Sequence, residues 1–396
     1  MKPDLSRISD MFLSRRVLSV MGAAVVIVTL LSLRHGGLRY AGTSRYMGQH
    51  AGYDSAASLN HVLNATLGFG DILVVGLPSR SDRRDGMTLA AALSELSITF
   101  VDGVKGDEVN EKAVPMPKDR KHLQGASLGS WRGHMNAIQE VVRRNLSSAL
   151  ILEDDVDWDV RIREQLHSFA LSSRALTQPL RGGRPGQYAD ATYPHPTEHS
   201  PKKSATWTFT SCPTPWDVLW LGHCGMSFPF EDNTRMAKGR VVRKHDVSVP
   251  PKKDLWSLNK PFHLVEDYPP HTRVVHHAQE GVCSLAYAVS RRGARKMLRE
   301  LALKPATDGF DIMLRFYCEG SKGRTKQECL GVNPTLFSHY RPAGPISASS
   351  DIGSHGDGYR EEASTDMIRF STRLNAGVIL NGSTAYVDQF PNSPSK

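Results

Sequence analysis

The chain has 396 residues, 40% of them hydrophobic and 22% charged, with a formal net charge of +9. This is ordinary globular composition, long enough for one large or two modest domains. The positive balance suits nucleic acid, anionic lipid or a polyphosphate ligand, but the basic residues are scattered among acidic ones, with no basic helix interleaved with aromatics, which argues against nucleic acid.

Residues 1–16 carry Lys2, Arg7, Arg15 and Arg16 ahead of a charge-free run over 17–33, VLSVMGAAVVIVTLLSL, closed by Arg34. Such a run reads as a transmembrane signal anchor, and the preceding basic residues favour a cytoplasmic N-terminus. The expectation is a single-pass type II membrane protein whose bulk lies in the Golgi or ER lumen. A cleaved signal peptide is the alternative, although no clean small-x-small site follows. Sequons at Asn64, Asn145 and Asn381 agree with a lumenal location but add little. The five cysteines (Cys212, Cys224, Cys283, Cys318, Cys329) are too few for a disulfide scaffold. One or two bridges fit an oxidising lumen, and their pairing is not readable here.

Residues 34–69 are small, polar and glycine-containing, like a stem. DILVVGL then reads as a buried strand ended by Pro78, GMTLAAALSEL as a helix and ITFVDGV as a second strand. Over 128–146, Trp131, Met135, Ile138 and Val142 recur at helical spacing. SALIL, WDVLWLG and CSLAYAVS follow as strands, with helices over RRGARKMLRELA and after Asp308. Strands alternating with helices predict an α/β domain with a mostly parallel central sheet over 70–360. Long loops over 173–206 and 229–261 interrupt it, as lids or disordered inserts, and 361–396 is set apart as a C-terminal tail.

The segment SALILEDDVDWD, residues 148–159, packs five carboxylates (Glu153, Asp154, Asp155, Asp157, Asp159) into seven residues behind an aliphatic run. Crowded like charges raise one another's pKa unless a cation holds them. A solvated loop is one reading. An EF-hand fails, because Val160 and Leu166 stand where Gly and Glu belong. A phosphatase pair of Asp155 and Asp157 fails too, with Asp159 where a hydroxyl or Val belongs. What remains is a divalent-metal site at a strand's C-terminal end. Strand alternation would point Glu153 and Asp155 together and Asp154 away. Carboxylates select Mn²⁺ or Mg²⁺, completed by water and substrate phosphate, so the cluster predicts a nucleotide diphosphate. The loop LPSRSDRRD supplies Arg80, Arg83 and Arg84 for its oxygens, unless it is simply a solvated turn.

Four blocks together resemble glycosyltransferase family 25, which includes bacterial lipooligosaccharide galactosyltransferases and the collagen galactosyltransferases. They are VVGLPSRSDRRDGM; LGSWRGHMNAIQEVVRRNLSSALILEDDVDWD; WDVLWLGHCG with CSLAYAVSRRGARKML; and NPTLFSHYRPAGPISASSDI. The third is most like fungal members, and the second is the most specific. The resemblance implies a GT-A-like, Rossmann-type nucleotide-binding fold behind the N-terminal membrane helix. It also implies a UDP-sugar donor, UDP-galactose first, Mn²⁺, and inverting transfer to a glycan or glycoprotein hydroxyl. The family's acidic metal motif falls on Glu153, Asp154 and Asp155, and its arginine loop on Arg80 and Arg83. Where many relatives have Ser-His this chain has Gly133-His134, and His134 shares a helical stripe with Trp131 and Ile138, so a packed histidine is favoured over a catalytic one.

An inverting transferase needs a base for the acceptor hydroxyl. Asp308 and Asp311, in PATDGFDIML, are equally eligible, although both could merely cap the helix that follows. His339 or His355 could add a metal ligand. A non-catalytic sugar-binding protein with a degenerate transferase fold is the competing function, and the intact carboxylates argue against it.

Overall fold

The computed structural model describes residues 60–392, except 119–122, 181–182, 185, 194–215 and 354–355. The segments read as cytoplasmic tail, anchor and most of the stem, together with Cys212 and His355, lie outside the described residues.

The apolar runs form the strands of one large sheet. In chain order these are β1 (Ile72–Gly76), β2 (Thr99–Asp102), β3 (Ser148–Glu153), β4 (Val156–Trp158) and β5 (Val218–Gly222). A short β6 (Gly225–Ser227) precedes β7 (Arg240–Arg243), β8 (Arg273–His277), β9 (Gln279–Val282), β10 (Ala286–Ser290), β11 (Cys329–Asn333) and β12 (Phe337–Arg341). The sheet runs β2-β1-β3-β10-β5-β11-β8-β7, with β4 and β12 paired beside it; β6 and β9 form a separate ribbon.

Side-chain alternation feeds two cores, one per face. Leu73 and Val75 join Trp131, Ile138, Tyr287 and Phe310 on one side. Ile72 and Val74 join Met87, Leu166, Phe169 and Trp158 on the other. The helices α1 (Ser81–Leu93), α2 (Gly125–Arg143), α3 (Ile162–Thr177), α4 (His263–Asp267), α5 (Arg291–Met297) and α6 (Phe310–Glu319) complete the frame.

The expected fold class is corrected on two counts. The sheet is mixed rather than mostly parallel: β2, β1 and β3 run parallel, but β10 is antiparallel to both β3 and β5. Five-residue apolar runs do not encode direction, which the connections set. The N-terminal transmembrane helix is not carried into the fold class: no helix among the described residues is long and apolar enough to cross a membrane, and the run over 17–33 lies outside them.

Residues after 360, read as a tail, pack against β4 and β12. Ser364–Thr365 pairs with β12, and Ser371, Thr372 and Asn375 are buried. Bridges join Cys224 to Cys283 and Cys318 to Cys329.

Candidate active site

The five carboxylates part company at the end of β3. Glu153 is the strand's last residue, while Asp154 and Asp155 form the tight turn into β4. The turn breaks the strand alternation that would have paired Glu153 with Asp155. Asp154 and Asp155 instead share one guanidinium: Arg83 Nη1 lies 2.7 Å from Asp154 and Nη2 lies 3.3 Å from Asp155. Glu153 turns the other way and accepts from the Ser284 hydroxyl at 2.7 Å, with His134 Nε2 at 3.4 Å. Burial pushes the Glu153 carboxyl up, but the His134 and Ser284 contacts and the His339 charge overcome it and hold it below the ordinary value. Asp154 goes the opposite way. Burial, with help from Asp155 and Glu153, outweighs Arg83 and lifts it to about 6. Gly76 makes room for that carboxylate, since a Cβ there would overlap it.

Asp155 keeps an oxygen in reserve. Its Oδ1 is buried and has no hydrogen-bond partner among the described residues. An orphaned anionic oxygen at a cleft wall fits a hard divalent cation, which needs only one or two carboxylates. The three groups assigned to metal do not all lie within 4.8 Å of one another, although the His339 charge reaches Glu153. His339 sits on β12 opposite Val156, and Glu153 is held by Ser284 and His134. Among the described residues the only His/Asp/Glu trio within 4.8 Å is His263, Glu266 and Asp267, exposed on one turn of α4.

α1 begins at Ser81, five residues earlier than its apolar pattern suggests, so Arg83 and Arg84 lie in its first turn and Arg80 is its N-cap residue. Arg80 pairs with Asp82 and with Asp351 from the fourth motif block. Arg84 faces β2, pairing with Asp102 and stacking on Phe100 at 4.8 Å. It takes no part in the acidic cluster.

Arg80, Arg83 and Asp155 line a cleft of about 280 Å³ together with Gly86, Tyr340 and Arg373. Tyr340 is anchored where its backbone N–H donates to the Asp155 carbonyl at 2.7 Å. Neither Tyr340 nor Arg373 stands out in sequence. Arg373 lies beyond the last motif block and comes to the site only through tertiary packing.

That packing explains the other two acids. Asp157 accepts from the Ser371 hydroxyl and from the backbone N–H groups of Trp158 (2.8 Å) and Arg373 (3.3 Å). Asp159 accepts from Arg161 and from the Phe370 N–H at 3.3 Å. Both clamp the C-terminal segment onto β4.

His134 is buried in α2, stacked on Phe310 at 4.0 Å, with Nδ1 3.1 Å from the Tyr287 hydroxyl. Asp311, in the first turn of α6, accepts from the N–H groups of Cys283 (2.8 Å) and Ile312 (2.9 Å). Asp308 accepts from the Thr307 hydroxyl at 2.7 Å.

Residues 69–189 match the profile "Glycosyltransferase family 25 (LPS biosynthesis protein)". This stretch resembles glycosyltransferase family 25. It is similar to procollagen galactosyltransferase 1 of Danio rerio, 29% identical over 113 residues, 26% of this chain and 19% of that one. Procollagen galactosyltransferase 2 of Homo sapiens is 28% identical over 111 residues, 25% of this chain and 18% of that one. The human protein named inactive glycosyltransferase 25 family member 3 is 30% identical over 111 residues, 25% and 19% respectively. The match thus spans about a fifth of these relatives' length. The named relatives are vertebrate, and the fungal character expected of the third block gains no support from them. The matched residues 69–189 hold the arginine loop and all five acids, whereas Tyr340 and Arg373 lie outside them.

Proposed function

We propose that the family 25-like domain, with the cleft wall added by β12 and the C-terminal segment, is a metal-dependent inverting hexosyltransferase. The donor is a UDP-sugar, UDP-galactose first, and the acceptor is a glycan or glycoprotein hydroxyl. The observation that carries this reading is Asp155: a buried carboxylate oxygen left without a partner among the described residues, beside Arg83, on the wall of the cleft. Two of the relatives are procollagen galactosyltransferases, which supports the hexose.

Mn²⁺ or Mg²⁺ held by Asp155, with Glu153 and His339 as further candidate ligands, would supply Lewis-acid and template chemistry for a leaving diphosphate. Arg83 balances the Asp154–Asp155 pair, so the turn keeps its shape before any ligand arrives. Ser284 and His134 fix the Glu153 rotamer from the other side. For the acceptor proton we assign Asp308 and Asp311, one of which acts as the base. Asp311 is held by two backbone N–H groups and retains lone pairs for a third donor. The two disulfides support an oxidising, secretory-pathway lumen.

A second reading, sugar binding without turnover, draws on the relative named inactive. UDP release from UDP-sugars with Mn²⁺ separates the two readings. Asp155→Asn is expected to keep its melting temperature and lose about 100-fold or more in turnover, with manganese-dependent UDP binding lost in calorimetry. Normal turnover by that variant, or wild-type protein that ignores UDP and Mn²⁺, would refute the proposal.

A further inference from the structure

Two of the three arginines lining the cleft are committed to carboxylates. Arg80 is paired with Asp82 and Asp351, and Arg83 with Asp154 and Asp155. Arg373 differs. Among the described residues its guanidinium makes no hydrogen bond and no ion pair; it lies 4.3 Å over the Tyr340 ring and lines the cleft. Its backbone is fixed: the Arg373 N–H donates to Asp157, as does the Ser371 hydroxyl, and the Thr372 N–H donates to the Trp158 carbonyl at 2.9 Å. Burial lowers its pKa, against the pull of Asp157, Tyr340, Asp155 and Asp154. Across the gap stands Gly86, where a Cβ would overlap the guanidinium.

A half-buried guanidinium with no hydrogen-bonded carboxylate among the described residues, braced on an aromatic ring, offers its fork to an oxyanion from outside the protein. The cleft that holds it also holds the unpaired Asp155 oxygen, so cation and metal-binding acid face one ligand. We propose that Arg373 donates to the diphosphate of the nucleotide-sugar, making the C-terminal segment part of the donor site. This rests on the donor reading given under Proposed function. The segment enters the site because Asp157 and Asp159 fasten it there, so one acidic run builds both walls of the cleft.

The test is calorimetric titration of UDP, with Mn²⁺, into the full chain and three variants. Arg373→Ala is expected to bind UDP about tenfold or more weakly, the loss typical of a hydrogen bond to a charged group, with Arg373→Lys intermediate. Gly86→Ala supplies a variant that leaves Arg373 in place. Alanine suits the α1 helix, and the atom it displaces is the end of a flexible side chain, so melting temperature should hold while UDP affinity falls. If wild-type protein binds UDP and Arg373→Ala binds it equally tightly at an unchanged melting temperature, the assignment of Arg373 is overturned and the donor reading stands. If wild-type protein does not bind UDP, both fall.

Discussion

Asp154 and Asp155 adjoin in sequence and share Arg83, but the fold gives them different tasks. Asp154 is the buried structural partner, 4% exposed and lifted to about 6 by burial. Its folded pKa lies above the unfolded value, so the stability linked to its proton is complete below about 4 and lost as pH rises through 6. Asp154→Asn removes that dependence. Its stability relative to wild type is expected to improve, by about 3 kcal/mol at most, between pH 4 and pH 7 in melts run side by side. A gap that stays constant with pH would contradict this. At this scale the sequence announces the acids, because five carboxylates behind an aliphatic run are a local signal. It does not announce which acid is spare, since the sharing of Arg83 depends on where α1 begins. Arg373 is illegible for a plainer reason: its partners, Gly86 and Tyr340, come from other parts of the chain.

Among the elements, strands such as β3 up to Leu152, β5 and β10 are readable because they are buried and mostly apolar. β8, β11 and β12 are not, since RVVHH, CLGVN and FSHYR mix polar groups into buried or half-buried positions. His276, for example, is fully buried and accordingly lowered to about 3, in contact with Asn333 of β11 at 3.1 Å. α5 is tied to the sheet by Asp217, which is fully buried and meets Arg292 at 3.0 Å and Lys296 at 2.7 Å. The two cations are 40% and 35% exposed and can rehydrate, whereas the carboxylate cannot. Removing both cations should therefore cost more than removing the acid. In urea unfolding, Arg292→Ala/Lys296→Ala is expected to lose about 3 kcal/mol or more and Asp217→Asn about 1–2 kcal/mol. The reverse order would show that the carboxylate is solvated through another route.

For the whole molecule, the two cystines divide the work by loop length. Cys224–Cys283 closes a separation of 59 residues and Cys318–Cys329 one of 11. On chain-entropy grounds, replacing the first pair by serine should cost about 4 kcal/mol and the second about 3 kcal/mol, read from denaturant midpoints under oxidising conditions. Equal losses would mean that the unfolded chain is already compacted around the longer loop. Domain class and the existence of both helical layers are legible from alternating patterns, but strand direction is not, because β10 enters antiparallel through a connection that carries no periodic signal.

Anyone trimming this protein to its recognisable motifs would cut through the working pocket. A fragment stopping near residue 360 keeps every acid and every loop arginine, yet strips Asp157 and Asp159 of the hydroxyl and N–H groups that cover them. Silence from such a fragment in an assay would report a missing wall, not a retired enzyme.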